Sequence, residues 1–160
     1  MSDGRANRHA PIIISMIVAL MLSIAPMPPW AEPFRPDWVV LTLIYWTMTF
    51  PHSYSIGTAW IAGLVLDVAM GTLLGQHALA LSVTIYITAK FYLQLRQFPM
   101  LQLMATVFAL LAVYRFILFW INGVAGITVP AVVYWGPVIS GTLIWPLLTI
   151  FLVGVRQRVR

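Results

Sequence analysis

Asp67 is the residue whose type and place most need an explanation. It is the one carboxylate inside an apolar stretch, in the run Gly63-Leu64-Val65-Leu66-Asp67-Val68-Ala69-Met70-Gly71. An acid at membrane depth costs about 2.5–3.5 kcal/mol on insertion scales, so it is paired, hydrogen-bonded or functional. Two chemistries fit: an ion or proton site, or a structural anchor bonded to a neighbouring helix or helix end. Proton relays chain several acids and histidines, and Asp67 stands alone, which makes the anchor the simpler reading. Arg115 is the one basic residue inside an apolar stretch. It has three readings: its head reaches the interface while its stem stays in lipid, it pairs with Asp67, or it meets a partner subunit.

The remaining polar groups suggest less. Glu32, Arg35 and Asp37 share one turn, which reads as a solvated polar face available to periplasmic partners. His9, His52 and His77 fall on different segments without ligand spacing and read as polar loop residues. There is no cysteine, so disulfides and thiolate metal or redox sites are excluded. No phosphate-cradling glycine loop with lysine, Gly-x-Ser-x-Gly elbow or His-Glu-x-x-His pair occurs. The expectation is a protein without catalytic residues, metal or cofactor.

Positioning these residues falls to apolar helices. Hydrophobic residues make up 61% of the 160-residue chain and charged ones 8%, against roughly 25% charged in soluble domains. A membrane crossing needs roughly 20 residues for a core of about 30 Å, so one all-α domain over 1–160 with six short spans and tight loops uses nearly the whole length. The expected spans are 11–29, 36–50, 55–71, 73–91, 98–121 and 131–155, with Pro146 bending the last. The first run could also be a signal peptide, but no small-x-small cleavage pattern follows it. Trp30, Trp38, Trp120 and Trp135 fall where outer-interface anchors belong, whereas Trp46, Trp60 and Trp145 read as packing residues.

Basic residues orient the bundle. With both termini in the cytoplasm, six spans place Arg5, Arg8, Lys90, Arg96, Arg156, Arg158 and Arg160 inside, seven of the nine Lys and Arg, as the positive-inside bias requires. Merging spans two and three would move five of these outside. Lys90, Arg96, Arg156, Arg158 and Arg160 then form cytoplasmic basic surfaces for anionic lipid headgroups, worth about 1 kcal/mol per residue, or for cytoplasmic filaments. The net charge of +5 reports topology here, with no nucleic-acid face implied.

Ser55, Ala59, Gly63, Asp67, Gly71 and Gly75 recur every fourth residue. On a helix they form a ridge of small side chains that another backbone can approach closely, and the ridge is surest from Ser55 to Asp67. It is the candidate packing face or partner interface.

Two stretches carry a family resemblance. Phe34-Arg35-Pro36-Asp37-Trp38-Val39-Val40-Leu41, running on to Tyr45-Trp46, resembles the opening of the second helix of MreD proteins. Gly63 through Asp67 to Gly71, continuing through Leu74-Gly75 to Leu79, resembles the family's Gly-x-x-x-Asp element with its trailing glycines. Trp145-Pro146 and the basic C-terminus also fit. The resemblance implies a non-enzymatic inner-membrane subunit of the bacterial elongation complex that binds MreC and is linked with MreB, RodA and RodA's partner transpeptidase. It also implies a fold similar to the six-helix substrate-binding subunits of energy-coupling-factor transporters. That similarity leaves a solute-binding transporter subunit as the alternative, although fold alone does not carry function.

Overall fold

The computed structural model describes residues 3–53 and 56–158, with side chains over 9–53 and 56–157. Ser55 and Arg160, and the side chains of Arg5, Arg8 and Arg158, lie outside what is described. Among the described residues the chain is all helix: α1 (Asp3–Ile24), α2 (Trp38–Thr49), α3 (Ile56–Met70), α4 (Gln76–Lys90), α5 (Tyr92–Gln97), α6 (Met100–Val124) and α7 (Ala131–Arg158). A single 3-10 turn, Glu32–Phe34, precedes α2. The helices α6 and α7 are long and apolar enough to cross a membrane, while α1 and α3 contain shorter apolar stretches.

α2 is the axis of the bundle. Val39 through Met48 are all buried, so this helix is covered all round, as a helix apolar on every face must be. Its twelve residues span about 18 Å, short for a crossing but sufficient for a core helix wrapped by others. Around it, α3 pairs with α4, α6 with α7, α4 with α6, and α1 with α2. Trp46 donates from Nε1 to the Ser15 hydroxyl at 2.9 Å, joining α2 to α1 within the core.

The outer surface is apolar. Ile61, Val68, Leu101, Leu143, Leu147, Ile150 and Phe151 are all more than 60% exposed. An exterior with this many exposed large apolar side chains suits lipid better than water, as expected of a membrane protein. Trp46 and Trp145 are buried, as expected of packing residues, but Trp60 is 44% exposed and faces outward.

α7 runs unbroken through Pro137 and Pro146. A proline lacks the N–H that the carbonyl four residues earlier would accept. Pro137 thereby frees the Val133 carbonyl, and the Arg115 guanidinium lies 3.5 Å from it. Gly136, beside that proline, lets the 3-10 turn close on α7, since a Cβ there would run into the Pro33 carbonyl oxygen. Gly136→Ala should therefore push the turn off α7 and lower stability by about 1–3 kcal/mol, measured as a shift in thermal or denaturant unfolding.

Candidate functional site

Polar side chains gather at the two ends of α2. At the end where α2 begins, Asp67 sits in the last turn of α3, 1% exposed. Its carboxylate accepts four hydrogen bonds. Oδ2 takes the Gly75 N–H at 2.8 Å. Oδ1 takes the His77 N–H at 3.1 Å, the His77 ring Nδ1 at 2.7 Å and the Thr72 hydroxyl at 3.0 Å. The first residues of a helix have no intrahelical acceptors for their N–H groups, and Asp67 supplies them for α4 from the preceding helix.

The chain reverses between α3 and α4 through two glycines at positive φ, Gly71 at 66° and Gly75 at 97°. Gly63, one turn before Asp67, makes the pairing close: a Cβ there would lie 2.5 Å from the Ala78 backbone nitrogen. Ala59, Gly63 and Asp67 are all buried, the last two against the chain's own α4. Of the two readings of the ridge, helix packing or partner interface, the described residues from Ala59 to Asp67 show packing within the chain. The small residues serve an intramolecular hairpin, while Gly71 and Gly75 belong to its turn and have open space around them.

Of the three readings of Arg115, pairing with Asp67 is not what the structure shows. Arg115 grips Asp37 instead, with Nε donating to Oδ2 at 2.8 Å and Nη2 donating to Oδ1. This two-pronged contact suits a planar guanidinium and ties the start of α2 to α6. Asp67 already accepts four hydrogen bonds at the α3–α4 turn, and among the described residues the Asp37 carboxylate has no hydrogen-bond partner besides Arg115. His77, and not Arg115, meets Asp67. Reading it as a loop histidine missed this, because the link depends on the turn that folds α4 back onto α3.

Arg35 is likewise no solvated turn residue. Its guanidinium donates to the Ser23 and Ala25 carbonyls, closing the C-terminus of α1, and to Glu32 at 2.9 Å. A cation at a helix C-terminus satisfies orphan carbonyls and meets the negative end of the helix dipole. Glu32, Arg35, Asp37, His77, Tyr114 and Arg115 together line a cavity of about 190 Å³ that opens at this end.

The opposite end is basic. Arg96 donates to the Thr49 carbonyl at 3.0 Å, closing α2, and Arg156 lies over the Phe50 ring at 5.8 Å. Both line one cleft with Tyr45, Leu103 and Trp145. Lys90 is exposed beside Phe91, its Nζ 5.9 Å from the ring centroid. Among the described residues no group of three or more His, Asp or Glu is placed to hold a metal.

A double-mutant cycle tests the pairing at the first end. Arg115→Ala should cost about 3–5 kcal/mol by leaving Asp37 buried and uncompensated. The swap Asp37→Arg with Arg115→Asp should recover part of that loss. Exchanging Asp67 with Arg115 should recover none.

The family model described as rod shape-determining protein MreD matches residues 5–155. The chain is also 30% identical over 152 residues to the rod shape-determining protein MreD of Haemophilus influenzae, covering 93% of this chain and 92% of the relative. No solved structure matches. A match over nearly the full length, through both motif-bearing stretches, leaves one assignment: the chain belongs to the MreD family of rod shape-determining proteins.

Proposed function

We propose that the protein acts in rod-shape determination as a non-enzymatic scaffold of the inner membrane, holding the single membrane helix of MreC. Through MreC it would join MreB, RodA and RodA's partner transpeptidase and so organise peptidoglycan synthesis. α1, α2, α3, α4, α6 and α7 are the six crossings of this reading, and α5 lies at the cytoplasmic surface. Both termini are cytoplasmic, which agrees with Lys90, Arg96 and Arg156 standing beyond the C-terminal end of α2.

The observation that carries the docking assignment is the groove between α1 and α7. These helices touch sparsely and leave an apolar cleft of about 440 Å³ lined by Ile14, Val18, Leu22, Leu147 and Phe151. It exceeds the 260 Å³ cleft between α1 and α3. Helices associate in lipid by close van der Waals contact and a few hydrogen bonds, which a cleft supplies better than a convex face. The Gly63 ridge is already filled by α4, so the partner helix needs another seat.

Co-purification of MreC with tagged protein tests this. Val18→Trp or Leu147→Trp should lower capture about tenfold, equivalent to about 1.4 kcal/mol, while Val68→Trp, at an exposed position on α3 outside the groove, should leave it unchanged. Equal capture by all three, each inserted at wild-type level, would remove the groove from the account.

A further inference from the structure

The cavity at the Asp37 end is built beyond what a bundle needs to close. We infer that it is a binding site for a neutral, hydroxyl-bearing ligand about the size of one sugar ring, either a free solute or a lipid headgroup. This goes beyond the scaffold role and requires no transport.

Size comes first. The cavity holds about 190 Å³, and a cavity of roughly 150 Å³ accommodates one benzene ring. One six-membered ring with its substituents fits.

Charge narrows the class. Two cations, Arg35 and Arg115, line the cavity together with two carboxylates, Glu32 and Asp37. Each cation is already paired, Arg35 with Glu32 and Arg115 with Asp37. The formal charge of these four groups is therefore zero, and an anion or a cation would enter uncompensated.

The open hydrogen-bonding positions then identify the chemistry. Tyr114 is 1% exposed and lines the cavity, and its hydroxyl has no hydrogen-bond partner among the described residues. Arg35, on the same cavity wall, keeps its Nε buried without a hydrogen-bond partner; such a donor costs free energy, and a ligand hydroxyl would supply its acceptor. His77, 6.2 Å away centroid to centroid, directs Nδ1 to Asp67. A neutral ring that donates from Nδ1 presents Nε2 as an acceptor. One acceptor and one donor beside a phenol match groups that both donate and accept, as hydroxyls do. Val40, Leu66 and Pro137 on the walls suit the C–H faces of a ring. Met70, 46% exposed, and half-buried Val133 also line it.

The test uses the full chain in phosphatidylcholine nanodiscs, free of sugar detergents, with saturation-transfer NMR titrations of methyl glucoside, myo-inositol and glycerol. Saturable binding of at least one of them is expected. Tyr114→Phe should weaken it about fivefold, the worth of one hydrogen bond, with unchanged melting temperature. Val133→Trp, filling the cavity from a position outside the core, should abolish it even if Tyr114→Phe fails to fold. Displacement of the probe by nanodiscs containing monoglucosyl diacylglycerol would assign the ligand as a lipid headgroup, and lack of displacement would assign a free solute. The inference is overturned if none of the three probes saturates, if inorganic phosphate binds in their place, or if Val133→Trp binds as wild type does.

Discussion

Gly63→Leu is expected to prevent the protein from folding, and Gly63→Ala to lower its stability by about 3 kcal/mol, the upper part of the usual range for overpacking. The obstruction is backbone: a Cβ on Gly63 meets the Ala78 nitrogen and Cα and the His77 carbonyl carbon. A flexible side chain could turn away, but the backbone of α4 can yield only if the hairpin opens. Opening it pulls the Gly75 and His77 N–H groups off Asp67, so the cost spreads into the polar turn. Gly57 is the internal control, because it lies on the same helix and nothing stands within 4 Å of its added Cβ. Gly57→Ala should melt at or above the wild-type temperature, since alanine favours helix over glycine by up to about 1 kcal/mol. Melting curves of the three proteins in one mild detergent decide it. A Gly63→Ala protein as stable as wild type would mean α3 and α4 are not packed this closely.

Asp67→Ala should cost about 3–5 kcal/mol, because four donors lose their acceptor at once in a buried setting. Asp67→Asn should recover little. Its amide offers one acceptor oxygen, while its NH2 group would face the Gly75 N–H or the His77 donors. Asp67→Glu moves the carboxylate by one methylene and should rescue only in part. These variants separate the two chemistries open to an intramembrane acid. A structural cap makes Asp67→Asn unstable in purified form and lowers its abundance in cells. A proton site would leave Asp67→Asn as stable as wild type while abolishing function.

The Gly-x-x-x-Asp element shows what the sequence makes legible. Four-residue spacing of small side chains predicts a close approach, and the lone acid predicts a satisfied anchor; both are present in α3. The identity of the approaching backbone was not legible. It is α4, brought back by glycines 71 and 75, and a spacing rule registers that a neighbour exists without naming it. His77 escaped notice for the same reason, since its role exists only after the turn folds. Arg115 is the sharper case: its partner lies 78 residues away, and two acids were available. The choice of Asp37 follows from the packing of α2 and α6 against the same neighbours, α4 and α7, which no local pattern encodes. Helix α1 runs from Asp3 to Ile24, whereas the first expected span ran from residue 11 to residue 29. The Pro26-Met27-Pro28-Pro29 segment cannot continue a helix, and Arg35 closes the helix end instead.

The chain contains no cysteine, so single cysteines can be placed without background. The decisive measurement is oxidative cross-linking in membranes between a cysteine in the MreC membrane helix and a cysteine at Val18, Leu147 or Val68. Cross-links at Val18 and Leu147, with none at Val68, are the predicted result and would seat the partner helix between α1 and α7. Efficient cross-linking at Val68, with Val18 and Leu147 silent, would contradict the account and move the scaffold's working face to α3.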